Sequence, residues 1–172
     1  MNRIETIIKS KATKEDKLAK ILKYIFVNIC KIDQNKYFIL GSYALRKHRK
    51  INDLDINLDA REFLKLEKAV LNGYGKIEFY DSQIRWVFDM TKLYNRLTKS
   101  KEKDFSIEAF KKDQKVGYPN RTFSLSNLKR NHGLSKDKFG HQFFSLKTLL
   151  KWKVKMNREK DKKDIELIKK IL

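Results

Sequence analysis

An apolar run that stops at a glycine–serine pair, followed at short range by two aspartates one residue apart, restricts the folds open to this chain. Phe38-Ile39-Leu40-Gly41-Ser42 leads through a short basic segment into Asp53-Leu54-Asp55-Ile56. Leu54, Ile56 and Leu58 alternate with polar residues, the pattern of a strand with one buried face. Residues i and i+2 of a strand point to the same side, so Asp53 and Asp55 project together. Paired carboxylates repel and are tolerated mainly where a cation lies between them. Hard oxygen ligands at that spacing suit Mg²⁺, which takes one or two protein carboxylates and completes its shell with water and substrate phosphates. Gly41-Ser42, at a strand-to-helix turn, offers backbone N–H groups and a helix N-terminus to a phosphate. The combination reads as a nucleoside triphosphate (NTP) site.

Around this motif the chain organises as one domain. Residues 13–31 predict a helix, with Thr13 as cap and Leu18, Ile21, Leu22, Ile25, Phe26 and Ile29 at helical spacing. The residues before it form a short helix or a frayed end. Residues 37–40 predict a buried strand, 42–48 a short helix capped by Ser42, 54–58 the strand bearing the acids, and 60–71 a helix ended by Asn72-Gly73. Two strands follow at 76–80 and 83–90 around Asp81-Ser82. Then come a short helix at 91–97, a charged loop at 98–104, a strand at 105–110 and a loop at 111–123 holding the single proline, Pro119. Phe123-Ser124-Leu125 begins another short element that Asn131-His132-Gly133 breaks. Residues 145–156 predict a helix with Leu146, Leu149, Leu150 and Val154 inward and lysines outward. Residues 161–172 predict a second helix, with Ile165, Ile168, Ile171 and Leu172 inward. The expected class is α+β: a mixed sheet flanked by helices, with helices at the C-terminus. Residues 1–36 form an N-terminal helical segment, 37–125 the core carrying the acids, and 141–172 the C-terminal helices.

Charge bears on the partner. The chain carries 41 Lys and Arg against 21 Asp and Glu, a net charge of +20. Residues 1–50 hold 13 basic against 4 acidic, residues 51–100 hold 8 of each, and residues 101–172 hold 20 against 9. A neutral middle containing the acidic pair is thus flanked by two basic ends. That field attracts nucleic acid, and also an NTP. A lone cysteine, Cys30, excludes a disulfide framework. No run approaches the ~20 apolar residues of a membrane span. The expectation is a soluble, cytoplasmic protein.

Gly41-Ser42 with Asp53-x-Asp55 resembles the signature of the polymerase-β-like nucleotidyltransferase superfamily. At the C-terminus, Leu149-Leu150, Lys153, Arg158-x-Lys160-Asp161 and Asp164 are similar to the closing pattern of small AbiEii-toxin-like and minimal nucleotidyltransferases. The resemblance spans residues 38–172 and is loose between 60 and 145. It implies the nucleotidyltransferase fold and a Mg²⁺-dependent transfer of a nucleoside monophosphate from an NTP to an acceptor hydroxyl, with two metal ions and Mn²⁺ as a substitute. It also implies a third carboxylate. Ile77-Glu78-Phe79 and Ile107-Glu108-Ala109 both have the apolar–acid–apolar form. Glu108, at the longer spacing, is favoured over Glu78, with Asp89 or no third acid as further alternatives. The implied catalytic and metal set is Asp53, Asp55 and Glu108. Gly41, Ser42, Lys153 and Arg158 would contact the NTP, with Lys160 close by.

Other residues carry weaker signals. Asp161 and Asp164 read as structural acids paired with nearby Lys or Arg. His48, His132 and His141 lack metal-ligand spacing and read as surface or loop residues. The run Arg46-Lys47-His48-Arg49-Lys50 either grips phosphates or is a solvated turn. Tyr37, Tyr43, Tyr80, Trp86 and Trp152 are candidates to stack a base, or belong to the core. The acceptor is RNA (for instance a tRNA 3′ end), a protein or a small molecule, and the basic charge favours RNA. The competing function is a catalytically silent nucleotidyltransferase-fold module that binds nucleic acid or acts like an antitoxin. A third is one half of a toxin–antitoxin pair.

Overall fold

The structure, a computed structural model, describes residues 2–80, 83–111 and 125–172. The expected Asp81-Ser82 turn and nearly all of the 111–123 loop lie outside the described residues. Two helices open the chain, α1 (Arg3–Lys9) and α2 (Lys14–Lys23), and α2 runs on through a wider π turn at Tyr24–Ile29. Asn2 caps α1 by accepting from the Ile4 N–H, and Thr13 caps α2 by accepting from the Asp16 N–H. Such a cap contributes about 1 kcal/mol. The expected single helix over 13–31 is therefore present but changes its winding midway, and Lys31 ends it in the left-handed region at φ 57°.

The sheet follows. Strands β1 (Tyr37–Ile39) and β2 (Asp53–Leu58) are separated by a 3₁₀ turn at Gly41–Leu45. Short helices α3 (Ala60–Phe63) and α4 (Glu67–Leu71) lead to the hairpin of β3 (Lys76–Tyr80) and β4 (Gln83–Asp89). Helix α5 (Thr91–Thr98) precedes β5 (Ser106–Lys111). Then come α6 (Leu125–Arg130), β6 (Leu134–Lys136), β7 (Gln142–Phe144), α7 (Leu146–Met156) and α8 (Lys162–Ile171). Among the described residues, seven strands lie in the order β3-β4-β5-β2-β1-β7-β6. The β2–β5 and β1–β7 pairs are parallel and the others antiparallel, so the sheet is mixed as expected.

Strand alternation sends side chains into two cores. Tyr37, Ile39, Leu54, Ile56, Leu58, Trp86, Ile107 and Ala109 face one side, against Leu18, Leu22, Ile25 and Phe26 of the N-terminal helix and Ile4 and Ile8 of α1. Phe38, Leu40 and Phe144 face the other, where Leu125, Leu128, Leu149, Trp152 and Ile168 of the later helices cover them. Phe38 pairs in register with Asn57, and the Leu40 N–H donates to the Asp55 carbonyl. Asp53 and Asp55 therefore share the side of the sheet on which α7 and α8 pack. Gly75 packs closely against β4. At φ 80°, a Cβ there would lie 2.4 Å from the Val87 carbonyl and 2.8 Å from the Trp86 indole nitrogen, so only glycine fits.

Three expectations need correction. His141, expected on the surface, is fully buried at the start of β7. The Tyr37 hydroxyl donates to its Nδ1 at 2.6 Å and its Nε2–H donates to the Ala19 carbonyl at 2.9 Å, so the network assigns the tautomer. Val154 is exposed, because the inward stripe of α7 runs through Leu149, Trp152 and Lys153. A lysine takes the inward place because Asp161, at the cap of α8, and Asp164, within it, supply two carboxylates. Leu172 is also exposed, and it is the buried Ile168 that anchors α8. Among the described residues no helix is long and apolar enough to cross a membrane.

Burial lowers the His141 pKa below the ordinary 6.5. The unfolded chain takes up its proton near 6.5 while the folded chain resists it, so this contribution to stability is complete above that pH and is lost as pH falls below it. Thermal melts between pH 7.5 and 5 should show wild type losing more stability on acidification than His141→Gln, which keeps a donor and an acceptor but does not titrate. Parallel pH curves would show that His141 does not govern acid stability.

Candidate functional site

Gly41 begins the construction of the site. It stands at φ 62° immediately after β1, and a Cβ there would meet Asp55 Oδ2 at 3.7 Å. The chain thus turns sharply beside the carboxylate, in a conformation that glycine adopts without cost. The following turn is a five-residue 3₁₀ turn with Leu40 at its cap position, which corrects the expected 42–48 helix capped by Ser42. The Ser42 hydroxyl instead donates to Asp164 Oδ2 at 3.0 Å, tying the turn to α8.

The register of β2 against β5 sets the acids. Asp53 lies opposite Ser106 and Asp55 opposite Glu108. Directly paired residues share a face, so Asp53, Asp55 and Glu108 all point to the same side. Glu78 lies on β3, three strands from β2. The geometry thus brings Glu108, and not Glu78, beside the aspartate pair. Asp89 is exposed at the end of β4, where it accepts from the Thr91 N–H. Sequence reasoning missed Asp104, which lay in the segment read as a charged loop. It accepts from the Ser106 hydroxyl at 2.6 Å, and its charge raises the pKa of Asp53, Asp55 and Glu108.

The crowding shows in the protonation equilibria. Desolvation, then the charges of Asp53 and Glu108, push the Asp55 carboxyl up from 3.8 to about 7, with Lys160 opposing. Asp53 stands at the exposed end of the strand but is crowded on its inner side. Desolvation and Asp104 raise it, and Arg49 and Lys14 partly offset them. Desolvation also raises Glu108, against the opposing charge of Arg85. Among the described residues, no three carboxylate, histidine or cysteine side chains are gathered to close around a metal ion. The Asp53–Asp55 pair does fit one: two hard oxygen donors share a face, and their charges are destabilised until a cation arrives.

A basic wall faces the acids across a cleft lined by Gly41, Ser42, Asp53, Asp55, Arg49, Arg158 and Lys160, among others. Behind it runs a buried ion network. Lys153 Nζ lies 2.6 Å from Asp161 Oδ1 and 2.9 Å from Asp164 Oδ2, and its side chain is 3% exposed. Arg158 Nε reaches Asp161 Oδ2 at 2.6 Å while its guanidinium sits 5.1 Å from the Trp152 ring centre. Arg49 Nε reaches Asp164 Oδ1 at 2.9 Å. Desolvation works to raise the pKa of both aspartates, but hydrogen bonds and charge from Lys153, Arg158 and Arg49 outweigh it and hold them low. Lys153, expected to contact a triphosphate, is spent on these acids. Truncating one partner of a buried pair typically costs about 3–5 kcal/mol, against a whole-domain stability of about 5–15 kcal/mol. Lys160 is exposed, lines the same cleft as Asp55, and its charge lowers the Asp55 pKa.

The run at 46–50 divides its work. Arg46 lies over both the Tyr43 and Phe143 rings, Arg49 joins the network, and Lys50 pairs with Glu102. Lys47, His48 and the distant His132 are exposed. Lys14, a second residue the sequence did not flag, is buried and donates to Asn52 Oδ1, Glu102 Oε2 and the Asp104 carbonyl, at 2.9, 3.0 and 2.8 Å. It bolts the start of β2 to the approach of β5. Tyr37, Tyr43 and Trp86 belong to the first core and Trp152 to the second, so none of these four presents a free face to a base. No family model matches the chain, and neither a curated protein nor a solved structure was found similar to it.

A carboxyl raised to about 7 has a defined stability signature. The folded state binds the proton more tightly than the unfolded chain, so stability is greatest at low pH and is lost as pH rises through 7. In metal-free buffer at pH 8, Asp55→Asn should be more stable than wild type by an amount on the order of 2–4 kcal/mol, closing toward pH 4. Mg²⁺ should raise the melting temperature of wild type and not of the variant. A variant less stable than wild type at pH 8 would contradict the crowding.

Proposed function

We propose that the protein is a nucleotidyltransferase that moves a nucleoside monophosphate from an NTP to an acceptor hydroxyl. The observation that carries this reading is the pairing of Asp53 and Asp55 on one sheet face with Gly41 packed against Asp55 and cations across the cleft. Asp53 and Asp55, joined by Glu108, would hold Mg²⁺. Bound there, the ion would supply Lewis-acid stabilisation of charge on the α-phosphate and the leaving pyrophosphate. The turn at Gly41-Ser42 would fix the phosphates through backbone N–H groups, with Arg158 and Lys160 as counter-charges. The acceptor oxygen would form its bond to the α-phosphorus as the bond to the bridging oxygen breaks. Its proton would pass to a carboxylate of the cluster, whose raised basicity suits that role. Positioning and electrostatics would supply most of the rate.

One observation favours a second reading. That reading is a catalytically silent nucleic-acid-binding module of the same architecture, and it is favoured by the absence, among the described residues, of three acids gathered to hold an ion. Incubation with each labelled NTP, Mg²⁺ and total RNA or cell extract separates the two. Transfer of label by wild type is expected, and Asp53→Ala should abolish it with the fold intact by circular dichroism. Glu108→Gln should cut it further than Glu78→Gln, since only Glu108 is in register with Asp55. Transfer at wild-type rate by Asp53→Ala would remove the catalytic assignment.

RNA is the acceptor that the charge favours. Lys147, Lys151 and Lys155 of α7 and Lys162, Lys163, Lys169 and Lys170 of α8 are exposed. Each neutralised phosphate releases counterions, so RNA affinity should fall by orders of magnitude between low and moderate salt. Charge reversal at Lys151, Lys155, Lys162 and Lys163 should weaken RNA binding far more than NTP binding. Fluorescence anisotropy that shows no binding at ~50 mM salt, or binding indifferent to salt, would move the acceptor to a protein or small molecule.

A further inference from the structure

Glu108 is the register partner of Asp55, yet its carboxylate is engaged elsewhere. Its Oε2 lies 2.7 Å from Arg85 Nη1. Arg85 is on β4, on the far side of β5 from β2, so it draws Glu108 away from the aspartates. A second carboxylate holds the same guanidinium: Arg85 Nε and Nη2 lie 3.1 and 2.8 Å from Glu78 Oε1. Glu78 in turn accepts from Lys76 Nζ at 2.5 Å. A row of alternating charge thus crosses the sheet from Lys76 through Glu78 and Arg85 to Glu108, which stands in register with Asp55. Arg85 is 14% exposed, Glu108 23% and Glu78 24%, so the row is partly shielded from water. The guanidinium fork can serve two carboxylates at once or close on one of them.

We propose that Arg85 and Glu78 are positioning residues that set when Glu108 joins Asp53 and Asp55. Arg85 holds Glu108 back from the pair, and Glu78 takes over the guanidinium when a divalent cation draws Glu108 across. This rests on the nucleotidyltransferase reading of the site. It accounts for two observations together: a glutamate in register with the aspartates, and the lack of a closed three-acid group among the described residues. The signs are distinctive. Without Arg85, Glu108 is released toward the acids and a cation relieves more repulsion, so metal affinity rises. Without the Glu78 charge, Arg85 loses the carboxylate that competes with Glu108 for its guanidinium and binds Glu108 more firmly, so metal affinity falls. A purely structural role for the row would shift both variants in the same direction.

The test is a titration of the full chain with Mn²⁺ alone, read by electron paramagnetic resonance, with thermal melts to verify folding. Arg85→Met should tighten Mn²⁺ binding by roughly three- to tenfold, as expected for loss of a partly exposed ion pair. Glu78→Gln should weaken it by a similar factor. Placing Arg85→Met on a Glu108→Gln background should abolish the gain. If Arg85→Met fails to fold, Arg85→Lys keeps the charge, loses the fork and should give a smaller gain. Arg85 and Glu78 variants that shift Mn²⁺ affinity in the same direction, or leave it unchanged while Asp53→Asn weakens it, would overturn the positioning role alone. Equal Mn²⁺ binding by wild type and Asp53→Asn would overturn the nucleotidyltransferase reading and the positioning role with it.

Discussion

Like charge forced together at one strand end is the constraint on which the structure around the cleft depends. Asp53 and Asp55 share a face because a strand repeats every two residues, and the β2–β5 register adds Glu108. Gly41 turns the chain beside Asp55, where an added Cβ would lie 3.7 Å from its Oδ2. The outcome is a carboxyl raised to about 7 by burial and by the neighbouring acids. Clusters of this kind recur at functional sites because the destabilised charge is recovered when a cation binds.

Opposite charge is arranged to make that crowding tolerable. Arg85 takes up one oxygen of Glu108, and Lys14 ties the chain before Asp53 to the Asp104 carbonyl. Across the cleft, the pairs among Lys153, Arg158, Arg49, Asp161 and Asp164 join α7 and α8 to the turn after β1. The Ser42–Asp164 hydrogen bond carries the same connection. The position of Gly41-Ser42 relative to the acids is therefore set by residues more than a hundred positions later in the chain. Removing the C-terminal helices would unpin the turn as well as expose the second core.

Much of this was legible in the sequence. The paired aspartates, the turn at Gly41, the helices at 13–31, 145–156 and 161–172 and the strands around 37, 54, 76, 83 and 105 follow from periodicity and from glycine and cap chemistry. The mixed α+β class follows from their order. Strands β6 and β7 were not legible, because three residues each are too few to display a period and, unlike β1, neither ends an apolar run at a glycine turn. The buried state of His141 depended on a hydroxyl at Tyr37 and a carbonyl at Ala19, both over a hundred residues away.

The sequence by itself determined which residues share a face of a helix or strand, since that depends only on local backbone geometry. It therefore determined that two carboxylates stand side by side after a glycine turn, within a strongly basic chain. Only the tertiary structure decided which further residues meet them. The β2–β5 register chose Glu108 over Glu78, the packing of α7 buried Lys153 among aspartates, and the strand order set Arg85 against Glu108. Register and strand order depend on how whole faces bury their apolar surface, a sum over both cores that no local window of sequence contains.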